Sequence, residues 1–226
     1  MTLRTHTVKL RAADGHELDG FLCEPEAAPI GGLVVVQEIF GVNAHIRAVS
    51  EGYARDGFRV IAPAMFDRVE RGVELGYDAA GMSRGIELIK PLQPEHYLLD
   101  VAAALAALDG LAAGVIGYCF GGSVAWRAAA ALPVRAAVAY YGSNTVNLLE
   151  LEPKCPVMAH YGERDVMIPL EKVQAFREKH PEVSVHTYAA DHGFNCDHRR
   201  QYDAPSAALA RERSLAFLRR HVPLNG

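Results

Sequence analysis

A cysteine, a histidine and two carboxylates in this chain have the types and spacing needed for nucleophilic hydrolysis. Cys119 sits in Gly117-Tyr118-Cys119-Phe120-Gly121-Gly122, between an apolar run, Ala113 to Ile116, and an alanine-rich stretch, Ser123 to Ala131, that reads as a helix. A nucleophile flanked by small residues at a strand-to-helix junction is held on a sharp turn that projects it from the sheet. Glycine is needed on either flank because so tight a turn leaves no room for side chains. Asp165 follows in Gly162-Glu163-Arg164-Asp165, and His192 in Asp191-His192-Gly193-Phe194. In such a set the imidazole takes the thiol proton and later activates water, while the carboxylate fixes the tautomer and supports the imidazolium. Cysteine stands where serine is usual, so a thiol hydrolase is expected.

Plainer readings exist for each residue. A lone cysteine is commonly a small buried hydrophobe, and Cys23 and Cys155 are read that way; Cys196 is read as a pocket-wall or structural thiol. An aspartate after Gly-Glu-Arg is often a turn or cap residue, and Glu163 is a rival acid. Among ten histidines, His192 alone combines a position just after a strand with the chain order nucleophile, acid, histidine of α/β-hydrolases. An oxyanion would need two fixed donors: the backbone N–H of Phe120, after the nucleophile, and one from the loop Gln37-Glu38-Ile39-Phe40-Gly41, where Ile39 is the candidate. Glu38 reads either as a solvated strand-end carboxylate or as an active-site group near Cys119.

These residues must be positioned by the elements around them. Thr7–Leu10 and Leu18–Cys23 flank an Asp14-Gly15 turn and read as a hairpin. Leu33–Val36 is a continuously apolar strand of the kind buried on both faces. Ala44–Arg55 is expected as a helix closed by Gly57, and Arg59–Ala62 as a strand ended by Pro63. From Met65 to Gln93 the pattern weakens and glycines accumulate, which suggests an excursion carrying a short helix. Pro94–Leu108 is the clearest helix, with Pro94 at a first helical position. Further strands are read at Ala136–Tyr141, Val157–Tyr161 and Val183–Tyr188, and further helices at Leu170–Lys179 and Ser206–His221. This alternation implies an α/β fold, a single domain over residues 1–226, with a mostly parallel sheet covered by helices on both faces. Ligands then belong at the carboxyl ends of the strands, where all the candidates fall.

Half of the residues are hydrophobic and the formal net charge is −4, which gives no electrostatic reason to expect nucleic acid or an anionic membrane as partner. No apolar run approaches the roughly 18 residues of a membrane span. Met1 to Leu10 lacks the apolar stretch of a signal peptide, and a cytoplasmic setting is expected. The four cysteines show no Cys-x-x-Cys spacing, so neither a zinc site nor a redox pair is suggested.

The chain resembles the dienelactone hydrolases, or carboxymethylenebutenolidases. The likeness rests on Gln37-Glu38-Ile39-Phe40-Gly41-Val42-Asn43, on the segment around Cys119, on Tyr140-Tyr141-Gly142, on Asp191-His192-Gly193-Phe194, and on the closing helix. It implies an eight-stranded α/β-hydrolase domain and a Cys119–His192–Asp165 triad that works without metal or organic cofactor. It also implies that Glu38 receives the thiol proton once substrate is bound. The family substrate is a small lactone bearing a carboxylate, which hydrolysis opens to maleylacetate. Two arginines hold that carboxylate in the family. Here Arg84 is the nearest candidate for the first; direct register puts Cys196 at the second, with Arg199 as a possible substitute or a solvated helix-start residue. Phe40 and Tyr141, within the shared motifs, complete the candidate substrate-binding set. The expected partner is a small-molecule lactone or ester, and the expected state a monomer. A general carboxylesterase or thioesterase is the second reading, and a hydrolase fold used as a ligand receptor the third.

Overall fold

The computed structural model describes residues 3–222; residues 1–2 and 223–226 of the expected domain lie outside the described part. Eight strands form one sheet: β1 (Leu3–Arg11), β2 (Glu17–Pro25), β3 (Gly31–Val36), β4 (Phe58–Pro63), β5 (Ala113–Tyr118), β6 (Ala137–Tyr140), β7 (Val157–Gly162) and β8 (Ser184–Tyr188). The order across the sheet is β1-β2-β4-β3-β5-β6-β7-β8. Only β2 runs against its neighbours; β4 through β8 pair in parallel. Every residue of β3, β5, β6 and β7 is buried, as continuously apolar strands require when both faces are covered.

Six helices supply the cover: α1 (Ala44–Arg55), α2 (Ala79–Ile89), α3 (Pro94–Ala106), α4 (Phe120–Ala131), α5 (Leu170–Lys179) and α6 (Ala204–His221). Two adjacent glycines of β3 report the two layers, because successive strand positions face opposite ways. A Cβ at Gly31 would meet Val222, just beyond α6, whereas one at Gly32 would meet Leu108, just beyond α3. Helix α1 ends as expected, with Gly57 at φ +101° and its N–H on the Ala54 carbonyl at 3.0 Å.

Strands β1 to β5 and β7 extend one to four residues beyond the runs that announce them, since pairing continues into the flanks, whereas β6 loses one residue at each end of its run and β8 starts one residue late. The excursion holds more order than its composition suggests. It opens with a 3-10 turn at Met65–Arg68 and carries α2, whose cap Asp78 accepts the Gly81 N–H at 2.7 Å. Buried His160 ties β7, β8 and α6 together. Its Nδ1 meets Tyr188 Oη at 2.8 Å and its Nε2 meets Ser214 Oγ at 2.9 Å. Among the described residues, no helix is long and apolar enough to cross a membrane.

Candidate active site

The parallel register brings the ends of β3, β5, β7 and β8 to one edge, and with them Glu38, Cys119, Asp165 and His192. Between β5 and α4 the chain turns so sharply that Cys119 takes φ +54° and ψ −116°, a left-handed conformation costly for a residue with a side chain. Its neighbours make this possible by lacking side chains. A Cβ at Gly117 would lie 1.9 Å from the Gly121 carbonyl oxygen, and one at Gly121 would lie 2.3 Å from that of Val36.

His192 Nε2 lies 3.1 Å from Cys119 Sγ, and its Nδ1 donates to Asp165 Oδ2 at 2.7 Å. Asp165 Oδ1 accepts the Met167 N–H at 2.8 Å, so the carboxylate is held from both sides. Two main-chain bonds join the acid loop to the histidine loop: Glu163 N–H to the Tyr188 carbonyl at 2.7 Å and Arg164 N–H to that of Ala190 at 3.0 Å. Glu163, the rival acid, is exposed. Burial works against a charge on His192, but the Cys119 sulfur and the Asp165 carboxylate outweigh it and raise its pKa to about 10. This arrangement can draw the proton from the thiol and hold the resulting imidazolium.

The backbone N–H groups of Ile39 and Phe120 flank the same space. Phe120 N–H is the first of α4 and has no intrahelical partner. Among the described residues neither N–H meets an acceptor, and both residues line the cavity at Cys119. Two unpaired donors beside a thiol can receive an oxyanion.

Glu38 is fully buried. Its loop is stitched to the excursion by Gln37, whose Oε1 accepts the Met65 N–H at 3.1 Å, and by the Leu75 N–H on the Phe40 carbonyl at 2.9 Å. The carboxylate is committed on both oxygens: Tyr77 Oη donates to Oε2 at 2.8 Å and Arg199 Nη1 to Oε1 at 3.1 Å. Glu38 is thus paired with Tyr77 and Arg199, and among the described residues it makes no hydrogen bond to the Cys119 thiol. Arg199 reaches it across Gly193, where φ is +81° and an added Cβ would fall 2.4 Å from Nη1. Burial opposes the Arg199 charge and Glu38 sustains it. Of the two alternatives for Arg199, a solvated surface arginine is therefore ruled out.

Three expected substrate contacts need correction. Arg84 sits on the outer face of α2, its guanidinium held by Glu70 and Glu87, because residues 82, 86 and 89 claim the inner face. Phe40 is sealed below the site, against Tyr77 with ring centroids 4.4 Å apart. Tyr141 is likewise fully buried and packs against the His192 ring at 5.1 Å, so it supports the imidazole from behind.

The cavity beside Cys119 has a volume of about 340 Å³. Met82, Ile86 and Ile89 of α2, Tyr97 of α3, and Val124 and Arg127 of α4 line it. Helix α2 approaches so closely that a Cβ at Gly85 would lie 2.0 Å from the Ile39 carbonyl oxygen. Neither Tyr77 nor Arg127 was marked by a motif. Arg127 did leave a signal, as the one charged residue within Phe120–Ala131.

Glu38, His45 and Cys196 are all buried, with possible ligand atoms within 4.8 Å of one another. They do not suit a cation. Both Glu38 oxygens are taken, Arg199 brings positive charge, and burial, then Glu38, push the Cys196 thiol up to about 12.

A profile of the dienelactone hydrolase family matches residues 18–222. The chain belongs to the dienelactone hydrolase family. It is 34% identical over 218 residues to a Synechocystis sp. protein named "Putative carboxymethylenebutenolidase", with 86% of this chain and 88% of the relative covered. It is 31% identical over 226 residues to the carboxymethylenebutenolidase of Pseudomonas putida, with 95% and 96% covered. Among solved structures, one titled "Putative Dienelactone Hydrolase" from Klebsiella pneumoniae superposes with a TM-score of 0.85 at 27% identity, covering 96% of this chain and 98% of the other. As a member of the dienelactone hydrolase family, with an α/β-hydrolase fold, this chain is a hydrolase of ester or lactone bonds.

Proposed function

We propose that the chain hydrolyses small esters and lactones through a thioester on Cys119. The observation that carries this reading is the relay from Sγ through His192, 3.1 Å to Nε2 and 2.7 Å from Nδ1 to Asp165. His192 Nε2 holds the proton drawn from the thiol while the sulfur attacks the carbonyl carbon. The oxyanion is received by the Ile39 and Phe120 N–H groups. The carbon–oxygen bond to the alcohol then breaks, and that oxygen takes the proton from His192. Water, deprotonated by the same imidazole, attacks the thioester and releases the acid, restoring the thiol. Asp165 holds the ring in the tautomer this requires. Glu38 anchors Arg199 at the edge of the site.

The dienelactone reading is supported by the Pseudomonas putida relative. The second reading, an ester with a larger apolar body, is favoured by the cavity: its walls are largely aliphatic, and Arg84, expected to hold a lactone carboxylate, is engaged on the surface. The test is a turnover screen of cis- and trans-dienelactone beside neutral nitrophenyl esters. Cys119→Ala should abolish every activity that the wild type shows. A variant retaining wild-type rate would falsify the thiol mechanism.

A further inference from the structure

Arg127 differs from the other arginines near the site. Arg199 is neutralised by Glu38 and Arg84 by Glu70 and Glu87. Arg127 is half-buried, lines the cavity with Cys119, and has no hydrogen bond or ion pair among the described residues. Phe120, Ser123, Val124 and Arg127 stand at i, i+3, i+4 and i+7, which puts them on one face of α4. The cavity therefore runs along that helix away from the nucleophile. Arg127 lies eight residue steps along the helix from Cys119, a rise of about 12 Å, which side chains leaning toward the helix N-terminus shorten somewhat.

Between the two ends the surroundings are apolar. Met82, Ile89 and Val124 line the cavity, and Met167 and Ile86, 56% and 48% exposed, line it where it meets solvent. Such walls suit an aliphatic chain, and an uncompensated guanidinium at the far end suits an anion. A planar fork of donors matches a carboxylate in particular. A compact lactone with its carboxylate beside the ring would not span the distance.

We infer that the cavity selects esters whose aliphatic body ends in a carboxylate remote from the scissile carbonyl, and that Arg127 receives that carboxylate. This rests on the proposed reading of Cys119 as the nucleophile. The substrate class is the half-ester of an aliphatic dicarboxylic acid, of about six to ten carbons by the rise of the helix. The class of reaction supplying it is one that esterifies or oxidises such a chain at one end.

The test compares mono-4-nitrophenyl suberate with 4-nitrophenyl octanoate, which differ only in the terminal carboxylate. Wild type should show kcat/KM about tenfold higher for the suberate, equivalent to about 1.4 kcal/mol. Arg127→Met should bring the ratio close to one, Arg127→Lys should keep part of it, and added salt should reduce it. In parallel, calorimetry on Cys119→Ala should show tighter binding of the suberate than the octanoate, and the double variant with Arg127→Met should lose that difference. A wild-type ratio near one, or a preference surviving in Arg127→Met in both kinetics and binding, overturns the assignment. Turnover that persists in Cys119→Ala would defeat the thiol mechanism instead, while leaving the binding comparison to judge Arg127.

Discussion

Arg199 Nη1 lies 3.1 Å from Glu38 Oε1, and the two side chains are 8% and 0% exposed. A pair this deep is costly to break, because removing one partner strands the other charge away from water. Glu38→Gln and Arg199→Leu should each destabilise the fold by about 3–5 kcal/mol, and the double variant by much less than their sum. Urea unfolding of all four proteins checks this. Single losses below about 1 kcal/mol would mean that water reaches the pair.

The charge of His192 gives stability a characteristic pH dependence. Its pKa is raised from an ordinary value near 6.5 to about 10, so folding favours the protonated ring. That contribution is complete below about pH 6.5, shrinks above it, and is gone above about pH 10. The stability gap between wild type and His192→Ala should therefore narrow as pH climbs from 6 to 10.5. Chemical denaturation at each pH measures the gap; one that widens with pH contradicts the ion pairing around the ring.

Gly85 bears on the loop that carries Ile39, the proposed oxyanion donor, although it belongs to the excursion. Gly85→Ala would press a methyl group to 2.0 Å from the Ile39 carbonyl oxygen and must shift either helix or loop. Misplacing one oxyanion donor typically costs about 2.7–4 kcal/mol of activation free energy, or 10²–10³ in kcat. Gly76→Ala, where no atom lies within 4 Å of the added methyl, is the control and should stay near wild type. Equal kcat in the two variants would separate α2 from the donor geometry.

The four thiols should differ sharply toward iodoacetamide. Burial, then Glu51, pushes Cys23 up to about 12; burial, then Glu38, does the same to Cys196; and burial takes Cys155 to about 11. Only Cys119 faces the cavity beside an imidazole. At pH 8 one adduct should form, at Cys119, in step with loss of turnover, as intact-mass and peptide mapping would show. Faster labelling of Cys155 would contradict this ordering.

Much of the molecule could be read from its residues because local and global preferences agree. Apolar runs such as Leu33–Val36 have one stable home, the middle of a covered sheet, and Gly117 and Gly121 mark a turn that no other residue type fits. The contacts around Cys119 follow from that topology. Side-chain direction in the excursion was harder to read. In a glycine-interrupted stretch the register of α2 is weakly marked, so the two-residue step from Met82 to Arg84, which turns the arginine outward, left no trace. Arg199 was ambiguous for a related reason. Its approach to Glu38 depends on the irregular path after His192 and on the space above Gly193, neither of which has a periodic signature.

The cavity's outer wall comes from residues 79–89, whereas sulfur, imidazole and carboxylate are carried by strand ends elsewhere in the chain. Tool and mould are separate pieces. Exchanging Met82, Ile86 or Ile89 can recut the space for another guest while the edge holding Cys119, Asp165 and His192 stays as it was. A scaffold divided in this way lets the space be altered without touching the residues beside the thiol.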